Sequence, residues 1–363
     1  MKKNIFGVGI AALILIVILA SLPIIPNSDP SFQTDLRQRD LLNAETKARL
    51  KTDNVSDFEH SVMILHKGEV VFEDGPSDKI MNTHSTRKAI MSLIYGIAVD
   101  KGLIDLDKTL AELNIDEVTP LTDQEKSATI RDLLMSRSGI YLPAQGEHDE
   151  QVTDRPRRGQ HKPGEYFFNN NFDFNALGTI FVQETGISIG EFMEENLAKP
   201  LGMQDFSAAN VPVGNPWYFP GEDSLHDMYR IYMSTRDFAR IAAMVADGGI
   251  WEGQQVVPAS WIKESTANHS DLSKSAIKYD RYEYFGYAWW IDQDTGIIWN
   301  VGIGGHIMMI DPKQQLALVE RNFTGNSQLS TALWLIGSRS DRGQDYIIKA
   351  HGVISDALSG TIH

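Results

Sequence analysis

Apolar and polar positions fall into three blocks along this chain. In the first, the run Ser61-Val-Met-Ile-Leu65 is followed by His66-Lys-Gly-Glu69 and then Val70-Val-Phe72. Two short apolar runs around a polar, glycine-bearing break predict a β-hairpin turned near Gly68. The apolar run Ala89 to Val99, opened by Ser85-Thr-Arg-Lys88, predicts a helix ending near Gly102. The middle block carries helix starts. Thr129-Ile-Arg-Asp132 predicts a capped helix stopping near Gly139, and Ser188-Ile-Gly-Glu191 one that stops at Lys199-Pro200. Ser234-Thr-Arg-Asp237 predicts a third, through Phe238 to Ala246, ending at Gly248-Gly249. Between 139 and 165 lies a long polar loop of the kind that is usually functional. The last block returns to strands: Phe285 to Ile291, Ile297 to Val301, Ile307 to Ile310 and Leu316 to Glu320, with turns at Asp294-Thr-Gly296 and Asp311-Pro-Lys313. Tight turns between successive strands predict antiparallel pairing. A final helix from about Leu329 would pack on them.

The order strands, helices, strands predicts an α+β fold. Its antiparallel sheet, flanked by helices, would be built from 55–115 and 225–363, with 116–224 as an all-helical insert and a cleft between them. Ahead of it, Lys2 and Lys3 precede an uncharged apolar stretch from Ile5 to Ile25. At about 1.5 Å per residue this reaches across a ~30 Å hydrocarbon layer. Residues 1–27 are therefore expected to be a membrane anchor or uncleaved signal, and 28–54 a polar tether with a short surface helix. The two lysines favour a cytoplasmic start. The rest would lie outside a bacterial cytoplasmic membrane, or be secreted if the segment is cleaved.

Composition narrows the chemistry. A net charge of -15 argues against nucleic acid as partner. The absence of cysteine excludes a thiol nucleophile, disulfides and thiolate metal sites. No His and acidic residues cluster at ligand spacing, so no metal is expected, and no cofactor. Oligomeric state is not set by the sequence.

Ser85 and Lys88 stand three apart at the start of a helix, on one face and one turn from each other. A buried amine loses its proton more readily and can accept the serine proton. An exposed lysine gives the same spacing, so the pair alone leaves both readings open.

Further segments, in this order, carry a resemblance over residues 55 to 350. They are Lys101-Gly-Leu-Ile-Asp-Leu-Asp107, Thr129-Ile-Arg-Asp-Leu-Leu-Met-Ser-Arg-Ser-Gly139, Lys162-Pro-Gly164 leading to Asn169-Asn-Asn-Phe-Asp-Phe-Asn-Ala-Leu-Gly178, and Lys199-Pro-Leu-Gly-Met203. Met233-Ser-Thr-Arg-Asp237, Phe285-Gly-Tyr-Ala-Trp-Trp290 and Gly302-Ile-Gly-Gly-His306 follow. With Ser85-Thr-Arg-Lys88 they resemble the serine β-lactamase-related, penicillin-recognising hydrolases, in the class C-like branch with 6-aminohexanoate-dimer hydrolases and related esterases. The resemblance implies the same sheet-and-helix fold and a two-step acyl transfer from a small amide or ester. It makes Ser85 the nucleophile and Lys88 the base. The Ser85 N–H, and one from the strand after Gly302-Ile-Gly-Gly305, would hold the oxyanion, so Gly304, Gly305 and His306 line that region.

Two motifs depart from the family. Its Tyr-x-Asn falls on Asn169 and Asn171, so the tyrosine is missing. Three readings follow: Lys88 acts alone with Asn169 as a hydrogen-bonding stand-in, a nearby hydroxyl such as Tyr141 or Tyr166 reaches in, or the chain binds ligands without efficient turnover. Asn171 would orient the Lys88 amine or cap a helix. The family's Lys-Thr-Gly is also absent, which disfavours β-lactams unless His306 or an arginine of 155–158 supplies the cation. Three functions stay open: a serine hydrolase of a small amide or ester, a weak or inactive ligand- or cell-wall-binding relative, and a D,D-peptidase-like cell-wall enzyme. His84 is read as a surface neighbour of Ser85 and Arg236-Asp237 as a cap. Of Trp289 and Trp290, one is expected in the core and the other at a cleft or helix.

Overall fold

The structure, a computed structural model, describes residues 32–51, 60–214, 224–275, 278–279, 281–324 and 342–360. Helix α1 (Ala44–Leu50) precedes the hairpin of β1 (His60–His66) and β2 (Glu69–Asp74), turned at Lys67-Gly68. A two-residue strand β3 (Met81–Asn82) leads through one tight turn, His84–Thr86, into α2 (Arg87–Asp100). The middle of the chain holds α3 (Ile130–Leu134), α4 (Asn171–Thr185) and α5 (Ile189–Met193). Strand β4 (Tyr232–Met233) and helix α6 (Thr235–Ala246) follow, then the small hairpin β5 (Ile250–Trp251) and β6 (Gln254–Gln255). Next come α7 (Ala259–Ser265), β7 (Ser270–Asp271), β8 (Tyr284–Phe285), β9 (Trp290–Asp292), β10 (Ile297–Gly302), β11 (His306–Asp311), β12 (Leu316–Asn322) and α8 (Arg342–Leu358).

One eight-stranded sheet, in the order β2-β1-β12-β11-β10-β9-β8-β7, organises the fold. Its first and last thirds meet where β1 pairs antiparallel with β12, His60 opposite Asn322 and His66 opposite Leu316. Both strands carry an apolar run, Val62 to Leu65 and Leu316 to Val319, because both faces are covered. On one face, the Arg321 guanidinium stacks over Phe238 of α6. On the other, Glu320 lies against Gly343 of α8. Val62, Ile64, Leu65, Leu318 and Val319 are accordingly fully buried.

The predicted boundaries shift where side chains pull the backbone away. The helix from Thr129 keeps its capping box but ends at Leu134, not Gly139. Ser136 leaves it to donate to the Phe168 carbonyl and accept from Asn170 N–H. The Ser188 box forms, and the chain winds on through a wider turn at Glu194–Ala198 to Gly202. At Ser234 only half a box exists, because the Asp237 carboxylate takes the amides of Gln204 and Asp205 instead. The stretch Phe285 to Ile291 is two strands rather than one. A β-carbon on Gly286 would lie 2.2 Å from the Ser265 carbonyl at the end of α7, and the chain turns there, with Gly286 N–H donating to Trp289 O. Trp289 is fully buried and Trp290 half-buried. The expected N-terminal anchor and the start of the expected last helix, before Arg342, lie outside the described residues. Among the described residues no helix is long and apolar enough to cross a membrane.

Candidate active site

Ser85 sits in the one-turn entry to α2, partly exposed, where the first-turn amides of the helix have no intrahelical partners. The entry is held from behind. His84 has φ +48°, a conformation that costs a non-glycine residue about 1–2 kcal/mol. Its N–H donates to Asn82 Oδ1 at 2.9 Å, and its Nε2 lies 2.9 Å from Thr324 Oγ1. Beneath it, the fully buried Arg321 donates to the carbonyls of Met81 and Asn82, at 3.0 and 3.1 Å. Arg321 Nε also donates to His306 Nδ1 at 2.7 Å. Burial pushes Arg321 down to about 9 and His84 to about 3, and it holds His306 well below the usual histidine range.

One turn on from Ser85, Lys88 is buried and its Nζ donates to Asn169 Oδ1 at 3.2 Å. Burial first, and then the Arg87 charge, push the amine down to about 7, against the opposing pull of Asp173. The Lys88 amine also lies 4.9 Å from the centre of the Phe174 ring. Arg87 is turned away into the interior, donating to Asn175 Oδ1 at 3.0 Å with its guanidinium over Tyr229. The Ser85 hydroxyl makes no hydrogen bond with a described residue.

The Asn169 segment is tied to residues 145–151, where a loop leads into a short helix, Asp149–Thr153. Gln151 Nε2 donates to Asn169 O at 2.6 Å and to Asn171 Oδ1 at 3.3 Å, and Asn171 Nδ2 donates to Gly146 O at 2.6 Å. Asn171 therefore fastens the loop and does not reach Lys88. The cap of α4 is its neighbour Asn170, which accepts from Phe172 N–H. Neither proposed replacement tyrosine meets the amine. Tyr141 packs edge-on against Phe168, its hydroxyl without a hydrogen bond among the described residues, and Tyr166 stacks on His161.

The strand that comes up against the serine is the end of β10. A β-carbon on Gly302 would lie 3.0 Å from Thr83 O and 3.2 Å from Ser85 N, so only glycine lets the two backbones approach this closely. Gly304 and Gly305, read from the sequence as the oxyanion region, form instead the β10–β11 turn, with φ +96° and +72° and carbonyls held by Asn322. His306 is fully buried against Arg321 and lines no opening. Strand β9 pairs with β10 only as far as Trp299, whereas β11 pairs to Gly302. The β9-side edge of Asn300 to Gly302 therefore has no strand partner among the described residues and runs up to Ser85.

The profile of the family described as Beta-lactamase matches residues 53–320. The chain belongs to the Beta-lactamase family. Curated relatives are distant. Protein flp of Staphylococcus aureus (strain MW2) is 22% identical over 302 residues, 71% of this chain and 58% of that protein, so the chain spans little more than half that relative's length. Among solved structures, a candidate 6-aminohexanoate-dimer hydrolase from Bacillus anthracis matches with TM-score 0.63 at 18% identity, over 93% of this chain and 92% of that one. A family VIII carboxylesterase matches at TM-score 0.60 and 16% identity, over 88% and 99%. A penicillin-binding protein homologue from Caulobacter crescentus gives 0.56 at 16%, over 83% and 97%. The fold is that of Beta-lactamase family hydrolases: a large antiparallel sheet flanked by helices.

Sequence reasoning passed over Arg321 and Gln151. Arg321 had one signal, a lone cation inside the run Leu316 to Asn322, where a charge needs a buried reason. Gln151 had none, lying in a stretch read as a polar loop. Of the three arginines nominated to greet a substrate carboxylate, two are engaged elsewhere, Arg155 with Glu147 and Arg158 with the buried Glu125, while Arg157 is exposed. Among the described residues no three His, Asp or Glu side chains converge as a metal ion would require.

Proposed function

We propose that this chain is a serine hydrolase that takes the acyl group of a small ester or amide onto Ser85, with Lys88 as the base. The observation that carries this reading is the buried Lys88 amine, pushed down to about 7, one helical turn from a partly exposed serine. Ser85 Oγ attacks the carbonyl carbon as its proton passes to Lys88 Nζ. The oxyanion forms where the Ser85 N–H and the free edge of β10 at Gly302 converge. Collapse breaks the bond to the leaving alcohol or amine, which takes the proton from the ammonium. Water then attacks the acyl-serine ester, giving its proton to Lys88, and the ammonium passes that proton to Ser85 Oγ as the bond to the acid breaks, restoring the hydroxyl and the neutral amine. Asn169 can hold the amine in place, but its amide cannot take a proton at neutral pH.

A fluorophosphonate probe tests this. Peptide mapping is expected to find the adduct on Ser85 and none in Ser85→Ala. An unlabelled wild type, under conditions that label a related hydrolase, would overturn the reading. The second reading, a ligand-binding relative with little turnover, draws on Asn169 in place of tyrosine. A D,D-peptidase-like role has less support, because Gly302-Ile-Gly-Gly-His306 stands in place of the family's Lys-Thr-Gly. In this reading the N-terminal apolar segment tethers the domain to the outer side of the membrane, which protease protection in intact cells would test.

A further inference from the structure

Six aromatic side chains cluster beside the free edge of β10. The Trp290 ring lies 4.8 Å from Phe285, 4.8 Å from Tyr279, 5.4 Å from Tyr282 and 6.0 Å from Phe167, and Tyr282 lies 6.1 Å from Trp299. Phe167, Tyr282, Phe285 and Trp299 are buried, whereas Trp290 and Tyr279 keep exposed surface. Contacts tie this wall to the serine from two directions. From one side, Lys88 meets Asn169, and Phe167 lies two residues away, a chain reach of about 7 Å. From the other, Trp290 pairs across the sheet with Trp299, the last β10 residue with a partner on that side, and three residues on Gly302 abuts Ser85. Ser85 and Lys88 close the circuit through one turn of α2. Trp290, half-buried, is thus the β9 residue beside which the unpaired β10 edge begins.

We infer that this wall is an acyl-group subsite that selects esters or amides whose acyl part carries an aromatic ring. The inference rests on the Ser85 reading above and adds the substrate class. An acyl chain bound at Ser85 and running back along β10 meets Trp290 and Tyr279 first. Rings already packed edge-on and tilted against their neighbours leave a flat face rather than an enclosing box. A flat face suits stacking by another ring.

The test compares p-nitrophenyl acetate with p-nitrophenyl phenylacetate, which share a leaving group, each rate divided by that of hydroxide-catalysed hydrolysis. The wild-type full chain is expected to favour the phenylacetyl ester in kcat/KM by at least about tenfold. Trp290→Ala is expected to erase most of that ratio and Trp290→Phe to retain it, with residual acetate turnover reporting that the variants fold. Equal use of both esters by the wild type, or a ratio that survives Trp290→Ala, overturns the subsite while leaving Ser85 as the nucleophile. Failure to turn over either ester, together with no probe adduct on Ser85, overturns both.

Discussion

The Lys88 amine donates to Asn169 Oδ1 at 3.2 Å, and the resemblance read from the sequence aligns Asn169 with the tyrosine of the family's second motif. The exchange changes what the neighbour can do. A tyrosine shares a proton with the lysine; an amide oxygen only accepts a hydrogen bond and leaves all the proton transfer to Lys88.

Restoring the hydroxyl is therefore expected to speed the reaction. Asn169→Tyr should raise kcat/KM for an activated ester by about 100-fold, the lower end of the range for general acid–base assistance. Steady-state kinetics on one p-nitrophenyl ester measure this. No gain in a folded variant would mean that Lys88 already works unaided, or that the site does not perform this chemistry.

Crowding the approach of β10 to Ser85 should slow acylation. In Gly302→Ala the new methyl meets Thr83 O at 3.0 Å and Ser85 N at 3.2 Å, both of them backbone atoms. The strand must move, carrying its oxyanion donor with it. The expected burst rate of p-nitrophenol falls at least about tenfold, within the cost of losing one oxyanion donor, with a stability loss of about 1–3 kcal/mol. An unchanged burst would remove Gly302 from the oxyanion site.

The buried His306 makes stability depend on pH with a definite sign. Its folded pKa is depressed, so the unfolded chain takes up a proton below about pH 6.5 that the native state refuses. Its contribution is complete above that pH and is lost as pH falls, at about 1.4 kcal/mol per pH unit. Glu320, pushed up to about 7, and Asp237, to about 6, pull the other way, so the comparison is between His306→Gln and wild type. Denaturant unfolding from pH 6.5 to 5 should show the variant losing stability more slowly. Parallel curves would mean that His306 is charged in the native state.

The fold was legible because its signals are local and repeated: apolar runs of strand length, two capping boxes and tight turns. The site was legible only in part. Ser85 and Lys88 announce themselves by spacing on one helix. What surrounds them is set by long-range contacts that leave no spacing. Gln151 reaches Asn169 and Asn171 from a short helix that the polar sequence of 139–165 does not announce, and Arg321 reaches Met81 and Asn82 from the far end of the chain. Gly302, Gly304 and Gly305 look alike in sequence. Only pairing with β11 decides which one lies in the strand against Ser85 and which two make the turn. Of the two roles open to Asn171, the helix cap goes to its neighbour, because two adjacent asparagines offer equally good helix starts and Asn170 takes it.

The central claim is that an uncharged Lys88 amine activates Ser85, and the pH dependence of Ser85 acylation tests it most directly. Only the neutral amine accepts the serine proton, so the rate must climb as pH rises through the lysine's own titration. Burst acylation by an activated ester should rise with a midpoint at about pH 7 and lose that inflection in Lys88→Met. A wild-type profile that stays flat, or that climbs only near the ordinary lysine value of about 10.4, would contradict the account.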